Sequence, residues 1–361
     1  MQDSQIAING PRLASGPLVA FHSLPVRRRS AFTLTELLIV IAIIAVLAGL
    51  IAAAAINALR KGRETRVSLE IKNMSTAIEN FKNDYGAYPP NGMNPSSGAF
   101  GAMVKADFVR MFSKAFPRQA ESPDLIAAIA GVAPSSSNVV TNGPLPQGMT
   151  SAEALYFWFG GFSSDEQYPI SGPGGPSYLV SEGEVLENRN RRYEFDLGRL
   201  VPRNDNKEFY VDSSDPLAGR QLLYKDPKTG DPRAINFWRY TPQGSEQPFI
   251  YFDTSRHKPY QYDVPAVTST GDVYALKKFR EGKTATSSPA PTLRDVVFVD
   301  NKYQVLHCGL DDDWGNFGGS ASASGASLNS LLLFPEGPFI GPAADTLTNF
   351  TDGTLESASE E

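Results

Sequence analysis

Few side chains in this 361-residue sequence could do acid, base, nucleophilic or metal chemistry, and their spacing narrows the options. There are three histidines and one cysteine. His22 lies in a polar N-terminal stretch, His257 sits between Arg256 and Lys258, and His307 directly precedes Cys308. Tyr303 to His307 is predicted to be a strand, whose successive side chains point to opposite faces, so a Cys/His dyad is not expected there. Cys308 reads instead as a small strand residue. Asp311, Asp312 and Asp313 are consecutive acids beside a Gly-rich turn and, taken alone, read as a solvated acidic loop. Glu36 stands apart, because it sits at the lip of an uncharged apolar run. An acid there is costly in lipid and calls for a partner, of which an amine is the natural one; snorkelling to the headgroups is the other reading. There is no nucleophile elbow, P-loop, zinc-spaced histidine pair or dinucleotide fingerprint. Gly172-Pro-Gly-Gly175 is a turn rather than a phosphate cradle, since no helix start with lysine follows it. The chain therefore reads as a non-enzyme.

What must position Glu36 is the run that follows it. Leu37 to Ile56 contains no charge over twenty residues, enough as a helix to cover about 30 Å, the thickness of the hydrocarbon core. Gly49 is tolerated in such a helix. The run is too long for a secretory signal, although Ala52 to Ala55 could offer a small-residue cleavage site. Arg27 to Arg29 flank it on one side, and Arg60, Lys61, Arg63 and Arg66 on the other, so charge bias alone does not orient it. The net charge of −6 gives no reason to expect a nucleic-acid partner. A single cysteine forms no internal disulfide. With 41% apolar residues, the remainder of the chain can build a core.

Residues 27 to 47, Arg-Arg-Arg-Ser-Ala-Phe-Thr-Leu-Thr-Glu followed by the apolar run, resemble the processing and methylation signal of type IV prepilins and pseudopilins. The resemblance implies a basic leader, residues 1–31, cut by prepilin peptidase between Ala31 and Phe32, with methylation of the new amine on Phe32. The family usually has Gly before the cut, and Ala31 is small enough to serve. Because that peptidase works at the cytoplasmic face, the resemblance also orients the span. Phe32 and Glu36 would drive assembly, Glu36 pairing with a mature N-terminal amine as subunits stack. Ile78 to Pro90, with Asp84, Gly86 and the Tyr88-Pro89 pair, is similar to the helix exit of major type II secretion pseudopilins. Members of that class carry a calcium loop near the C-terminus. Tyr303 to Asn316 resembles its opening strand and turn, which implies calcium as a cofactor and Asp311, Asp312 and Asp313 as metal ligands. The second aspartate of that loop has no evident match in the Gly/Ser/Ala run of Ser320 to Ser327.

Beyond the span, Val67, Ile71, Met74, Ile78 and Phe81 recur at steps of four and three, predicting an amphipathic continuation of the helix to about Asn83. Short helices are expected around Val104 to Ala115, from Ser122-Pro123, and at Leu155 to Phe159 after a possible Thr150/Glu153 capping box. Strands are expected at 221–224, 235–240, 249–252, 260–264, 273–276, 296–299, 303–307 and 331–334. The expected class is α+β and pilin-like: a long N-terminal helix (32–86; transmembrane 37–56, amphipathic 57–83) packed on an antiparallel β-sheet (221–344). A large irregular insertion (87–220) and a loose acidic tail (345–361) complete it. The function so implied is a structural subunit of a type IV pilus-like filament or type II secretion pseudopilus. Its partners would be prepilin peptidase, other pilin or pseudopilin subunits, an inner-membrane assembly platform and membrane lipid. Its place would be the bacterial inner membrane, single-pass, with the head in the periplasm or on the cell surface. The alternative is a singly anchored envelope protein with an extracytoplasmic binding domain.

Overall fold

The computed structural model describes residues 33–91, 101–130, 149–176, 189–202, 221–225, 232–263, 265–267 and 272–360. The leader, with Ala31 and Phe32, falls outside the described residues, as do parts of the 87–220 region. The chain divides into two compact units, Met1–Ile56 and Asn57–Glu361. The architecture is α+β, a long N-terminal helix followed by antiparallel sheets, as a pilin-like fold requires.

Helix α1 runs from Leu34 to Tyr85. Its composition changes at the boundary between the units. Leu37 to Ile56 is apolar on every face, and its large side chains are exposed. From Asn57 onward only one stripe is apolar, and its members Val67, Ile71, Met74, Ile78 and Phe81 are buried. The helix stops at Gly86, whose φ of +67° suits glycine and whose N–H reaches the Lys82 carbonyl at 2.6 Å. Tyr88, Pro89 and Pro90 then leave three successive carbonyls in the interior, and each finds a side-chain donor from a different element. Arg256 donates to Tyr88 O, Tyr251 Oη to Pro89 O at 2.7 Å, and Trp158 Nε1 to Pro90 O at 3.0 Å. Buried carbonyls must be paired in this way because water cannot reach them.

The main core gathers the α1 stripe with α2 (Gly101–Ala115), α3 (Pro123–Ile129) and α4 (Ala154–Phe159). Phe81 contacts Trp158 and Phe159 of α4 in edge-on geometry, with ring centroids 5.7 and 5.6 Å apart. The proposed box at α4 is half formed: Thr150 N–H donates to the Glu153 carboxylate at 2.9 Å, and no side chain caps the helix itself.

The β-structure is divided among small sheets. Strands β1 (Phe162–Ser163) and β2 (Arg189–Asn190) pair, as do β3 (Leu200–Pro202) and β6 (Trp238–Tyr240), flanking the β4 (Gln221–Lys225) and β5 (Pro232–Asn236) hairpin. β7 (Ile250–Asp253) joins the three-stranded sheet described below, and β8 (Ala266–Val267) pairs with β9 (Asp272–Val273). β10 (Lys277–Phe279) pairs with β11 (Val296–Phe298). β12 (Tyr303–His307) is central to a sheet ordered β13-β12-β7, with β13 at Leu347–Thr348; the pairings between these described strands are antiparallel.

Three expected strands are corrected. Tyr260 to Tyr262 turns back on Lys258, whose carbonyl accepts both Gln261 and Tyr262 N–H at 2.9 Å; Val264 lies outside the described residues. Tyr274 to Leu276 is buried but not a strand, because the Gln304 side chain replaces a strand partner: Leu276 N–H donates to its Oε1 at 2.7 Å, and its Nε2 donates to Leu276 O at 2.8 Å. Leu331 and Leu333 make only isolated bridges, to Gly318, Lys277 and Gly337.

The expected loose tail is also corrected. Leu347–Thr348 extends the central sheet, and Leu355–Ser359 forms α5, capped by Thr354. Leu355, Leu347 and Phe350 supply apolar surface that acidic neighbours disguise in the sequence, and Leu355 is fully buried. Leu355→Ala should therefore destabilise the protein by about 2–5 kcal/mol, the usual range for emptying a buried leucine site. Chemical denaturation in detergent micelles reads this directly; a change below about 0.5 kcal/mol is what an unpacked tail would give.

Candidate functional site

At the start of α1, Glu36 is held by its own helix terminus. One carboxylate oxygen accepts the Thr33 backbone N–H at 2.9 Å and the Thr33 hydroxyl at 2.8 Å, while Glu36 N–H donates to Thr33 Oγ1 at 3.2 Å. This is a capping box, in which residues three apart satisfy each other's orphan amides. Thr33 was not singled out by the sequence reading, although Thr-x-x-Glu before an apolar run is its signature. A cut between Ala31 and Phe32 would leave the Thr33 amide intact, so the box belongs to a shortened chain as much as to the full one. Oε1 of Glu36 has no hydrogen bond among the described residues, so one face of the carboxylate is open to a cation. Among the described residues one helix, α1, is long and apolar enough to cross a membrane, and the large side chains of its Leu37 to Ile56 run are exposed rather than buried.

Residues 26–52 match the family described as the prokaryotic N-terminal methylation motif. The chain carries the signature of type IV pilins and pseudopilins. The pilin-type match takes in the basic triplet, the Ala31-Phe32 pair, Glu36 and most of the apolar run. Motif and apolar helix together mark a membrane-anchored protein, and the motif implies processing by prepilin peptidase and assembly with other pilins. No curated protein and no solved structure matches the chain significantly.

The acidic loop after β12 is arranged differently from the expected ligand trio. Asp311 accepts the Asp313 N–H at 3.2 Å and Asp313 accepts the Gly315 N–H at 3.0 Å, so each closes a local turn. Asp312 turns away at a φ of +55° and accepts the Ser245 hydroxyl and the Glu246 N–H. Burial raises the Asp311 carboxyl above its ordinary range, with Asp345 and Asp313 adding repulsion. Among the described residues, the group of ligand atoms within 4.8 Å of one another is that of His307, Cys308 and Asp312. The opposite-face expectation for His307 and Cys308 fails because β12 ends at His307 and the chain turns at Gly309, where φ is +99°.

His307 is fully buried, and that burial pushes its imidazole down to about 4. Nδ1 accepts the Gly309 N–H at 3.1 Å, which places the proton on Nε2, facing Gln247 O at 3.2 Å and Ser245 Oγ at 3.1 Å. Ser245 thus gives its proton to Asp312 and receives one from His307, the reverse of what an activated nucleophile needs.

The capping box carries the test of the site's geometry. Thr33→Val should fray the first turn of α1, speeding exchange of the Glu36 amide about fivefold, as expected for a lost cap of about 1 kcal/mol. Thr33→Ser should leave it unchanged, with both variants read by hydrogen exchange in micelles.

Proposed function

We propose that the chain is a structural subunit of a type IV pilus-like filament or type II secretion pseudopilus, assembled through its N-terminal helix. In this reading prepilin peptidase cuts between Ala31 and Phe32 on the cytoplasmic side, and Phe32 is methylated. Leu37 to Ile56 holds the subunit in the inner membrane, with the Asn57–Glu361 unit outside the cytoplasm, and an assembly platform extracts it into the filament.

The observation that carries this is the carboxylate of Glu36 at the head of an uncharged helix, with one of its oxygens lacking a hydrogen-bond partner among the described residues. A carboxylate in lipid is retained only with a partner. The Thr33 cap fills one oxygen and fixes the rotamer. The open oxygen is left for an amine, which the mature N-terminus of a neighbouring or the same subunit would supply. Pairing that completes only on stacking makes assembly, rather than membrane insertion, the step that depends on Glu36.

The experiment is Glu36→Ala, followed in membrane and filament fractions and by cross-linking between subunits. The expected outcome is normal membrane anchoring with filament incorporation reduced by about tenfold or more, as the loss of a charge-assisted pair would produce. Normal incorporation of Glu36→Ala would remove the role assigned to this residue.

A further inference from the structure

We propose that His307, Cys308 and Asp312 form a binding site for one borderline-soft divalent cation, zinc being the ion whose preferences they fit. The three offer an imidazole nitrogen, a thiol sulfur and a carboxylate oxygen, all within 4.8 Å of one another. That donor set excludes calcium as the natural occupant, because calcium takes about six to eight oxygens. Zinc takes nitrogen, sulfur and oxygen together, and three protein ligands plus a water make a four-coordinate site.

Further features bear on the site. The Nε2–H of His307 faces the Gln247 carbonyl at 3.2 Å, an outer hydrogen bond of the kind that orients a ligating histidine, and the lone pair is then on Nδ1, where coordination has to displace the Gly309 N–H that now donates to it at 3.1 Å. The surroundings are electronegative and uncompensated, since none of the ion pairs among the described residues involves Asp311, Asp312, Asp313 or Asp345. Asp312 is half-buried whereas His307 and Cys308 are buried, so the carboxylate is the member of the group nearest to solvent. Gly309 holds the loop shut on the other side, where an added Cβ would lie 2.4 Å from Asp345 O.

Binding is a substitution without redox change. The cation displaces the thiol proton of Cys308 to solvent and bonds to the thiolate, to a carboxylate oxygen of Asp312 and to the neutral imidazole of His307. The site then passes from a charge of minus one to neutrality, and the buried loop becomes a closed chelate.

The test uses the full chain, untagged, in detergent micelles, stripped with chelator and titrated with zinc against a chromophoric chelator. One equivalent of zinc per chain should be withheld. Cobalt at the same site should show a near-ultraviolet thiolate charge-transfer band, and millimolar calcium should displace neither ion. Asp312→Asn, which keeps a side chain that tolerates the left-handed backbone, should weaken zinc by tenfold or more. Cys308→Ser should abolish the cobalt band, with the melting curve of the metal-free variant confirming that it is folded. No zinc withheld by the folded wild-type chain, a cobalt band that survives Cys308→Ser, or displacement by calcium would each overturn the site. None of these readouts depends on cleavage, on Glu36 or on filament assembly.

Discussion

One stripe of five side chains on α1, Val67, Ile71, Met74, Ile78 and Phe81, must be kept from water, and the globular unit is organised around that requirement. α2, α3, α4 and the β7-β12 pair all contribute to the core that covers it. Burying it forces the chain to leave the helix inside the protein, at Tyr88 to Pro90. That in turn demands three donors, from Arg256, Tyr251 and Trp158. Asp253, itself fully buried, pairs with Arg256 and so fixes the guanidinium that caps Tyr88. N-terminal to Asn57 the large apolar side chains of the same helix are exposed among the described residues, so that surface needs a different solvent, and lipid is the one that fits.

Charge pairing reinforces this frame at several points. Glu70 on α1 meets Arg199 just before β3 in a two-pronged pair, with the guanidinium 4.5 Å from the Tyr240 ring centroid. Arg192 reaches Asp84 and the Tyr85 hydroxyl at the end of the helix. Lys277 and Asp263 form a pair at 2.9 Å with both side chains about 1% exposed, and Ala321 N–H adds a further bond to the same carboxylate. Losing one member of so buried a pair strands a charge, which is why such pairs specify an arrangement more than they stabilise it.

What could be read from the residue order depended on how local the signal was. The apolar span, the one-sided stripe and the start of α3 are set by neighbours within a few positions and stand where the residue pattern puts them, whereas α1 runs to Tyr85, past Asn83, and α2 starts at Gly101, ahead of Val104. The Thr33–Glu36 box is equally local, a Thr-x-x-Glu pattern directly before an apolar run. Pairings across long separations left no such trace. Gln304 serving Leu276, Ser245 bridging His307 and Asp312, and Leu355 filling a core under an acidic tail all join segments with no local pattern. Likewise the strand rule for His307 and Cys308 assumed that β12 continues, and a glycine with positive φ ended it.

In the proposed pathway α1 begins life behind a leader and reaches its working state only after a cut between Ala31 and Phe32, just ahead of its Thr33 cap. Mass spectrometry of the N-terminal peptide, from membranes of cells with active prepilin peptidase, tests this most directly. A mature chain starting at N-methylated Phe32 is the predicted result. A chain still beginning at Met1, or one cut near Ala55, would contradict it and leave an anchored or secreted protein with no filament to build.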